Sequence, residues 1–284
     1  MGIEEGTPII AKFYRPERWS DAQILEEHQF TLDLQAADIP CVPPMVINGQ
    51  TLHSHEGFRF ALFERRGGHA PELDNLDDLF QMGRFIARIH LVGSQHLFET
   101  RPQLNLQHWV EDNSEFLLRH FVPADLRPAY ESLLKDLLPW LQEGFAQLPS
   151  ENFLRLHGDC HPGNVLYRDE TPHFVDFDDC LNGPAMQDIW MLLSGDYSQR
   201  CAQLAEIVDG YNEFYDFPVT QIGAIETLRT MRLINYAAWL GKRWEDPAFP
   251  MHFPWFNSPR YWAEHVLELR EQFSALQAAP LKLF

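Results

Sequence analysis

The sequence predicts a mixed α+β fold of two lobes, a small strand-rich one at residues 1–66 and a larger, mainly helical one at residues 67–284. Three observations lead there. Short apolar stretches of strand character precede an Arg66-Gly67-Gly68 break, long segments with helical apolar spacing follow it, and one β island interrupts those helices near 164–177. The 284 residues are 45% apolar and include 21 Phe, 8 Trp and 8 Tyr, which supplies a sizeable core and excludes disordered and collagen-like classes.

In chain order, residues 7–14 read as a strand. Ser20 and Gln23 have the spacing of a capping box and open a helix that runs to about Ala37, where the Pro-rich stretch 39–44 stops it. Strands are expected near 45–47 and over 58–63, with a turn at Asn48-Gly49. From Leu73 onward the pattern is helical, with Leu79, Met82, Phe85, Ile86 and Ile89 on one face. Further helices are expected over 124–147, 185–215, 221–243 and 258–278, and the β island consists of 164–167 and 173–177 joined by a turn at 168–172. Trp244, Phe249, Phe253, Trp255, Phe256, Tyr261 and Trp262 are read as packing of the large lobe, with a substrate-docking surface as the alternative.

Charge narrows the function. Lys+Arg total 22 against 41 Asp+Glu, a formal charge of −19, so a surface that binds phosphate backbones or anionic membranes is excluded. No apolar run approaches the roughly 20 residues of a bilayer span. The start MGIEEGTPII has no basic segment and reads as no secretory signal, and Gly6 breaks a myristoylation pattern. Cys41, Cys160, Cys180 and Cys201 form no C-x-x-C pair, which fits reduced thiols and a cytoplasmic protein.

The segment 156–179, LHGDCHPGNVLYRDETPHFVDFDD, carries the chemistry. Asp159 is followed five positions later by Asn164, and twelve positions after that by Asp176 at a strand end. Phosphoryl transfer needs one carboxylate to orient and deprotonate a hydroxyl, and an amide oxygen with a second carboxylate to hold Mg²⁺ on nucleotide phosphates. The protein-kinase template uses the same five-residue Asp-to-Asn spacing, and Asp176-Phe177-Asp178 stands where that template has D-F-G. Two alternatives accompany this reading. Gly158-Asp159 and Pro162-Gly163-Asn164 would be turn punctuation if each stood alone. His157, Asp159, Cys160 and His161 could be zinc ligands, but they sit on a Gly/Pro-broken loop without a helical face to present them.

H-G-D-x-H-x-G-N followed by V-D-F-D-D resembles the aminoglycoside phosphotransferase and choline kinase superfamily. The longer blocks KFYRPERW, QILEEHQF, LRLHGDCHPGN, NGPAMQDIWMLL and EDPAFP resemble one family within it, the bacterial stress-response kinases, over nearly the whole chain from residue 9. The resemblance implies a protein-kinase-like bilobal fold and ATP- and Mg²⁺-dependent phosphorylation of Ser/Thr on proteins by a cytoplasmic monomer, in envelope and oxidative stress. It implies Asp159 as proton acceptor, Asn164 and Asp176 as Mg²⁺ ligands, and Asp188 as anchor of the catalytic-loop backbone. His157 either braces that loop or is a plain core histidine. Lys12 matches the phosphate-binding lysine, with Glu27 or Glu26 as its partner and helix register favouring Glu27. Phe63, Glu64 and Arg65 would face adenine through backbone groups. Asp178 and Asp179 either add charge near the metal or lie in a solvated turn. Only eleven residues precede Lys12, and MGIEEGTP matches none of the two strands and ATP-covering loop that the family places there. Either the start is misplaced or the small lobe is truncated, and a truncated lobe is expected to fold less well and to bind ATP weakly. A small-molecule hydroxyl kinase of the aminoglycoside, choline or homoserine type, and a catalytically silent binding module, are the other readings. A redox role for Cys160 or Cys180 is disfavoured by their acidic neighbours.

Overall fold

The computed structural model describes residues 8–283. Thr7, the first position of the expected strand, and the six residues before it lie outside the described residues. The chain is mixed α+β, with a small strand-containing N-terminal region and a larger helical part. It divides into two compact units, one built from the chain through Gln103 with Ser150–Pro218, the other from Leu104–Pro149 with Val219–Leu281. No helix among the described residues is long and apolar enough to cross a membrane.

In the first unit, β1 (Ile9–Tyr14), β2 (His53–His55) and β3 (Phe58–Glu64) form an antiparallel sheet of order β1-β3-β2, with Lys12 opposite Ala61. Between β1 and β2 runs α1 (Asp21–Ala36), capped as expected by the reciprocal Ser20–Gln23 box. The strand expected at 45–47 is not formed. Pro43 and Pro44 lack N–H donors, so this stretch pairs only at isolated points: Pro44 opposite Phe63, and Ile47 opposite Gln50 around the Asn48-Gly49 turn. The three-residue β2, whose polar His-Ser-His sequence carries no strand signal, takes its place beside β3.

After α2 (Leu76–Gly93) come β4 (Leu154–Leu156), β5 (Val165–Arg168), β6 (Thr171–Phe174) and β7 (Leu181–Gly183). β5 and β6 are the expected island, joined by a tighter turn than expected, Asp169-Glu170, with both residues at positive φ. The β4–β7 pair is a second island that the sequence reading lacked. The helix expected over 185–215 is broken into the short turn Met186–Ile189 and a separate helix, Tyr197–Tyr211, which opens at its own Asp196–Gln199 capping box. We call these α5 and α6, and the helices of the other unit α3 (Asn113–His120), α4 (Arg127–Ala146), α7 (Ile225–Gly241), α8 (Ala248–His252) and α9 (Pro259–Leu276).

The α2 face drawn from the sequence is buried at Leu79, Met82, Ile86 and Ile89, with Phe85 at its margin. It packs on α6 at very short range, against Ile207 and Tyr211. A Cβ on Gly83 would lie 2.1 Å from the Ile207 carbonyl oxygen, and one on Gly210 would lie 2.1 Å from that of Phe80. The second unit packs α4, α7 and α9 around Tyr130, Leu137, Met231, Ile234, Trp262 and Leu269. Its helical segment at 107–120, a π-helical turn followed by α3, was not expected. Within the aromatic cluster Phe249, Phe256 and Trp262 are buried, while Trp255 is exposed. Packing therefore accounts for most of it.

Candidate active site

The second residue of the loop after β4 is a glycine that no other residue can replace cheaply. Gly158 has φ +86°, and a Cβ there would stand 2.2 Å from the Asp179 carbonyl oxygen. The loop backbone is then pinned from beneath by Asp188 at the end of α5. Its Oδ2 accepts the His157 N–H at 2.9 Å and its Oδ1 the Gly158 N–H at 2.8 Å. His90 of α2 contacts Asp188 through Nε2 at 3.3 Å and meets the Tyr211 hydroxyl through Nδ1 at 2.8 Å. Gln187 adds a bond to the Gly158 carbonyl at 3.2 Å. All of these groups are buried.

His157 turns its Nε2 to the Val175 carbonyl at 2.9 Å, and its ring packs on Phe177 at 4.4 Å. It thus connects the loop to the strand end that carries Asp176. Asn164 donates its side-chain Nδ2–H to the Asp159 carbonyl at 2.9 Å, and its backbone carbonyl accepts from the Val175 N–H at 3.0 Å. The base of the β5–β6 hairpin therefore fixes Asp159, Asn164 and Asp176 within one braced piece. Asp176 has left-handed backbone angles, φ 58° and ψ 63°, and presents a 58% exposed carboxylate. His161 lies 3.5 Å from Asp159 and accepts from the Gly163 N–H. Of the potential zinc ligands, His157 is turned away to the Val175 carbonyl, and Cys160 is fully enclosed, its thiol pushed up by burial and then by Asp188 and Asp159. Cys180 is pushed up by burial as well.

Lys12 on β1 reaches Glu27 at 3.4 Å, Asp176 at 3.2 Å and Asp178 at 3.1 Å. Burial disfavours its charge, but Glu27, Asp178 and Asp176 outweigh that and hold the ammonium well above an ordinary lysine. Glu26, the other candidate partner, is occupied. Its carboxylate accepts the backbone N–H groups of Glu99, Thr100 and Arg101 at 2.6, 2.9 and 2.8 Å and the Thr100 hydroxyl at 2.6 Å. Phe63 and Glu64 end β3 and Arg65 follows it, but the Arg65 N–H is already donated to the Pro8 carbonyl at 2.9 Å.

Two arginines complete the cluster. Arg101 is buried, donates to Glu27 at 2.9 Å and to the Asp178 carbonyl at 2.9 Å, and stacks on Trp19 at 4.4 Å. The sequence reading did not single it out, because its partners are 74 and 77 positions away. Arg18 pairs with Asp178 and, at 2.7 Å, with Asp179. Asp178 is buried, yet Lys12 and Arg18 draw its carboxyl below the usual range. The solvated-turn alternative therefore does not describe Asp178.

This arrangement offers one carboxylate on a rigid loop, two oxygen donors at a hairpin base and a paired lysine facing them. The model of the phosphotransferase enzyme family matches residues 2–222. Stress response kinase A of Shigella flexneri is 44% identical over 281 residues, which cover 99% of this chain and 85% of that protein. The serine/threonine protein kinase RdoA of Salmonella typhimurium is 42% identical over 285 residues, with the same coverage, 99% and 85%. Among solved structures, amicoumacin kinase hAmiN in complex with AMP-PNP, Ca²⁺ and Ami superposes with a TM-score of 0.74 at 19% identity, over 99% of this chain and 85% of that one. The fold, the braced loop and these similarities agree: the chain belongs to the phosphotransferase enzyme family, among its stress response kinases.

Proposed function

We propose that the chain transfers the γ-phosphoryl group of ATP to Ser and Thr hydroxyls of proteins, as a cytoplasmic monomer acting in the bacterial response to envelope and oxidative stress. The observation that carries the transfer chemistry is the single braced unit holding Asp159, Asn164 and Asp176. The protein acceptor rests on the name of the 42% identical relative and the stress response on that of the 44% identical one; the envelope and oxidative setting, the cytoplasm and the monomeric state rest on the resemblance read from the sequence.

The residues fit Mg²⁺. Asn164 spends its N–H on the Asp159 carbonyl, which leaves its side-chain oxygen as a donor, and Asp176 adds an exposed carboxylate. Hard oxygen donors in this small number suit a cation that also takes phosphate oxygens and water. Asn164 and Asp176 would hold it, and when bound it would neutralise charge on the phosphates. Lys12, kept charged by its three carboxylates, supplies a fixed cation for the same phosphates. Asp159 orients the acceptor hydroxyl and takes its proton as the oxygen bonds to the γ-phosphorus; the bond to the bridging oxygen breaks and ADP leaves. Adenine would meet the 63–65 strand end through groups other than the Arg65 N–H.

A small-molecule hydroxyl acceptor is the second reading, favoured by the likeness to amicoumacin kinase. The test is radiolabel transfer from Mg·ATP to the chain itself and a generic protein, against transfer to an aminoglycoside, choline or homoserine. Label on Ser/Thr supports the proposal, and label on the small alcohols alone supports the second reading. Nucleotide binding without transfer to any of them would reveal a silent binding module. Asp159→Asn is expected to lower transfer about 10²- to 10⁴-fold with Mg·ADP binding unchanged; transfer at the parent rate would remove Asp159 from its role.

A further inference from the structure

Asp176 is followed, after Phe177, by two more carboxylates, Asp178 and Asp179. Three acidic groups within one turn create a conflict at a site that must attract a metal-bound polyphosphate. Uncompensated, Asp178 and Asp179 would draw Lys12 and a divalent cation away from Asp176 and repel the phosphates.

One guanidinium answers both charges. Arg18 directs Nη1 to Asp178 Oδ2 and Nη2 to Asp179 Oδ1, the second at 2.7 Å. The other oxygen of Asp178 is the one that Lys12 reaches at 3.1 Å, so a single buried carboxylate is gripped between the lysine and the arginine of the same segment. The 15–20 loop that delivers Arg18 is itself fastened. Arg59 on β3 donates to the Trp19 carbonyl at 2.9 Å and to Asp21 at 2.7 Å. Glu17, just before Arg18, has φ 62°, a left-handed conformation that a glutamate adopts only at a cost of about 1 kcal/mol or more. Trp19 lies beneath both guanidiniums, with Arg18 at 5.5 Å and Arg101 at 4.4 Å. The loop thus links the strand of Lys12 to the helix of Glu27, and Arg18 ties it to the turn that carries Asp176.

We propose that Arg18 is a positioning residue for phosphoryl transfer: by bridging Asp178 and Asp179 it fixes Lys12 against Asp176 and leaves Asp176 as the carboxylate that serves the nucleotide's cation. The inference rests on the kinase reading given above. Arg18 acts through these two carboxylates.

The experiment is steady-state turnover of Mg·ATP by the parent chain, Arg18→Gln and Arg18→Lys, each titrated with ATP and with Mg²⁺. Misplacement of reacting groups by around an ångström lowers kcat by about 10- to 100-fold, and KM for ATP should change by less than about threefold. The Mg²⁺ concentration for half-maximal rate should rise. Arg18→Lys keeps the charge but cannot span two carboxylates, so it should be nearly as impaired as Arg18→Gln. Methylguanidinium added to Arg18→Ala should restore part of kcat, whereas methylammonium should not. A merely structural arginine would lower the melting temperature without altering the Mg²⁺ dependence or permitting rescue. Parent-like kcat and Mg²⁺ dependence in folded Arg18→Gln or Arg18→Lys would overturn the positioning role and leave the kinase reading standing. A parent chain that turns over no ATP would overturn both.

Discussion

Replacing Asp188 by Asn changes one oxygen to an NH₂ group at the point where three donors converge. In the parent the two carboxylate oxygens receive the His157 and Gly158 N–H groups at 2.9 and 2.8 Å and face His90 Nε2 at 3.3 Å, with the side chain 1% exposed. An asparagine has a single oxygen. If it serves Gly158, the NH₂ group confronts the His157 N–H; if it serves His157, it confronts that of Gly158. His90 can adapt, accepting at Nε2 while Nδ1–H donates to the Tyr211 oxygen, but a backbone N–H has no alternative form. One buried donor without an acceptor costs about 1–3 kcal/mol, and losing charge assistance on the remaining bonds adds about 1 kcal/mol, so Asp188→Asn should destabilise by about 3 kcal/mol. Asp188→Ala orphans both backbone donors and opens a cavity, for about 5 kcal/mol. Urea denaturation read by tryptophan fluorescence measures both variants. Hydrogen exchange should show the orphaned amide of His157 or Gly158 opening far more readily than in the parent, and kcat should fall because the loop carries Asp159. An Asn variant within about 0.5 kcal/mol of the parent, with both amides still protected, would show that the anchor is not the carboxylate.

Two further outcomes follow from packing and burial. Gly83→Ala places a methyl against the Ile207 carbonyl of α6, so the α2–α6 pair must separate; a loss of about 2–3 kcal/mol is expected in chemical denaturation, and a neutral effect would refute the close approach. His28 is buried between the Tyr14 hydroxyl at 2.7 Å and Thr51 at 2.8 Å, and burial pushes it down to about 4. A histidine depressed in the folded state binds its proton more weakly there than in the unfolded chain, where it titrates near 6.5. Its contribution is present above that value, falls by about 2 kcal/mol between pH 7 and pH 5, and levels off below pH 4. His28→Asn should flatten that part of the stability–pH curve, and an unchanged slope would count against the neutral buried imidazole.

The loop and hairpin of 156–177 were legible because their constraints are local. Gly, Pro, Asp and Asn at fixed offsets describe a turn, a loop and a hairpin whatever surrounds them, and the Ser20–Gln23 box describes the start of α1 in the same way. Partner choice within α1 was only half legible. Helix register put Glu26 and Glu27 on neighbouring faces, but the backbone of 99–101 that receives Glu26 lies more than 70 positions away. Arg101 was hidden for the same reason, since nothing near it in sequence needs a buried cation. His53–His55 and Leu154–Leu156 form strands of three residues, too short for alternation to show, and are decided by the strands beside them. The stretch 45–47 has the apolar character of a strand, but its two preceding prolines deny it a regular ladder.

Adjacent carboxylates on α1 leave this helix little freedom to act as an on–off lever. To withdraw Glu27 from Lys12, α1 must rotate or shift outward, and Glu26 would then lose its four hydrogen bonds to Glu99, Thr100 and Arg101 together. Glu26 is partly solvated, so each bond merits only about 0.5–1 kcal/mol, yet four broken at once amount to about 3 kcal/mol. A displaced helix would then be populated in fewer than about one chain in a hundred. Whatever adjusts the rate of this protein in its cell therefore acts more cheaply on nucleotide supply, acceptor access or the amount of protein than on the Lys12–Glu27 pair.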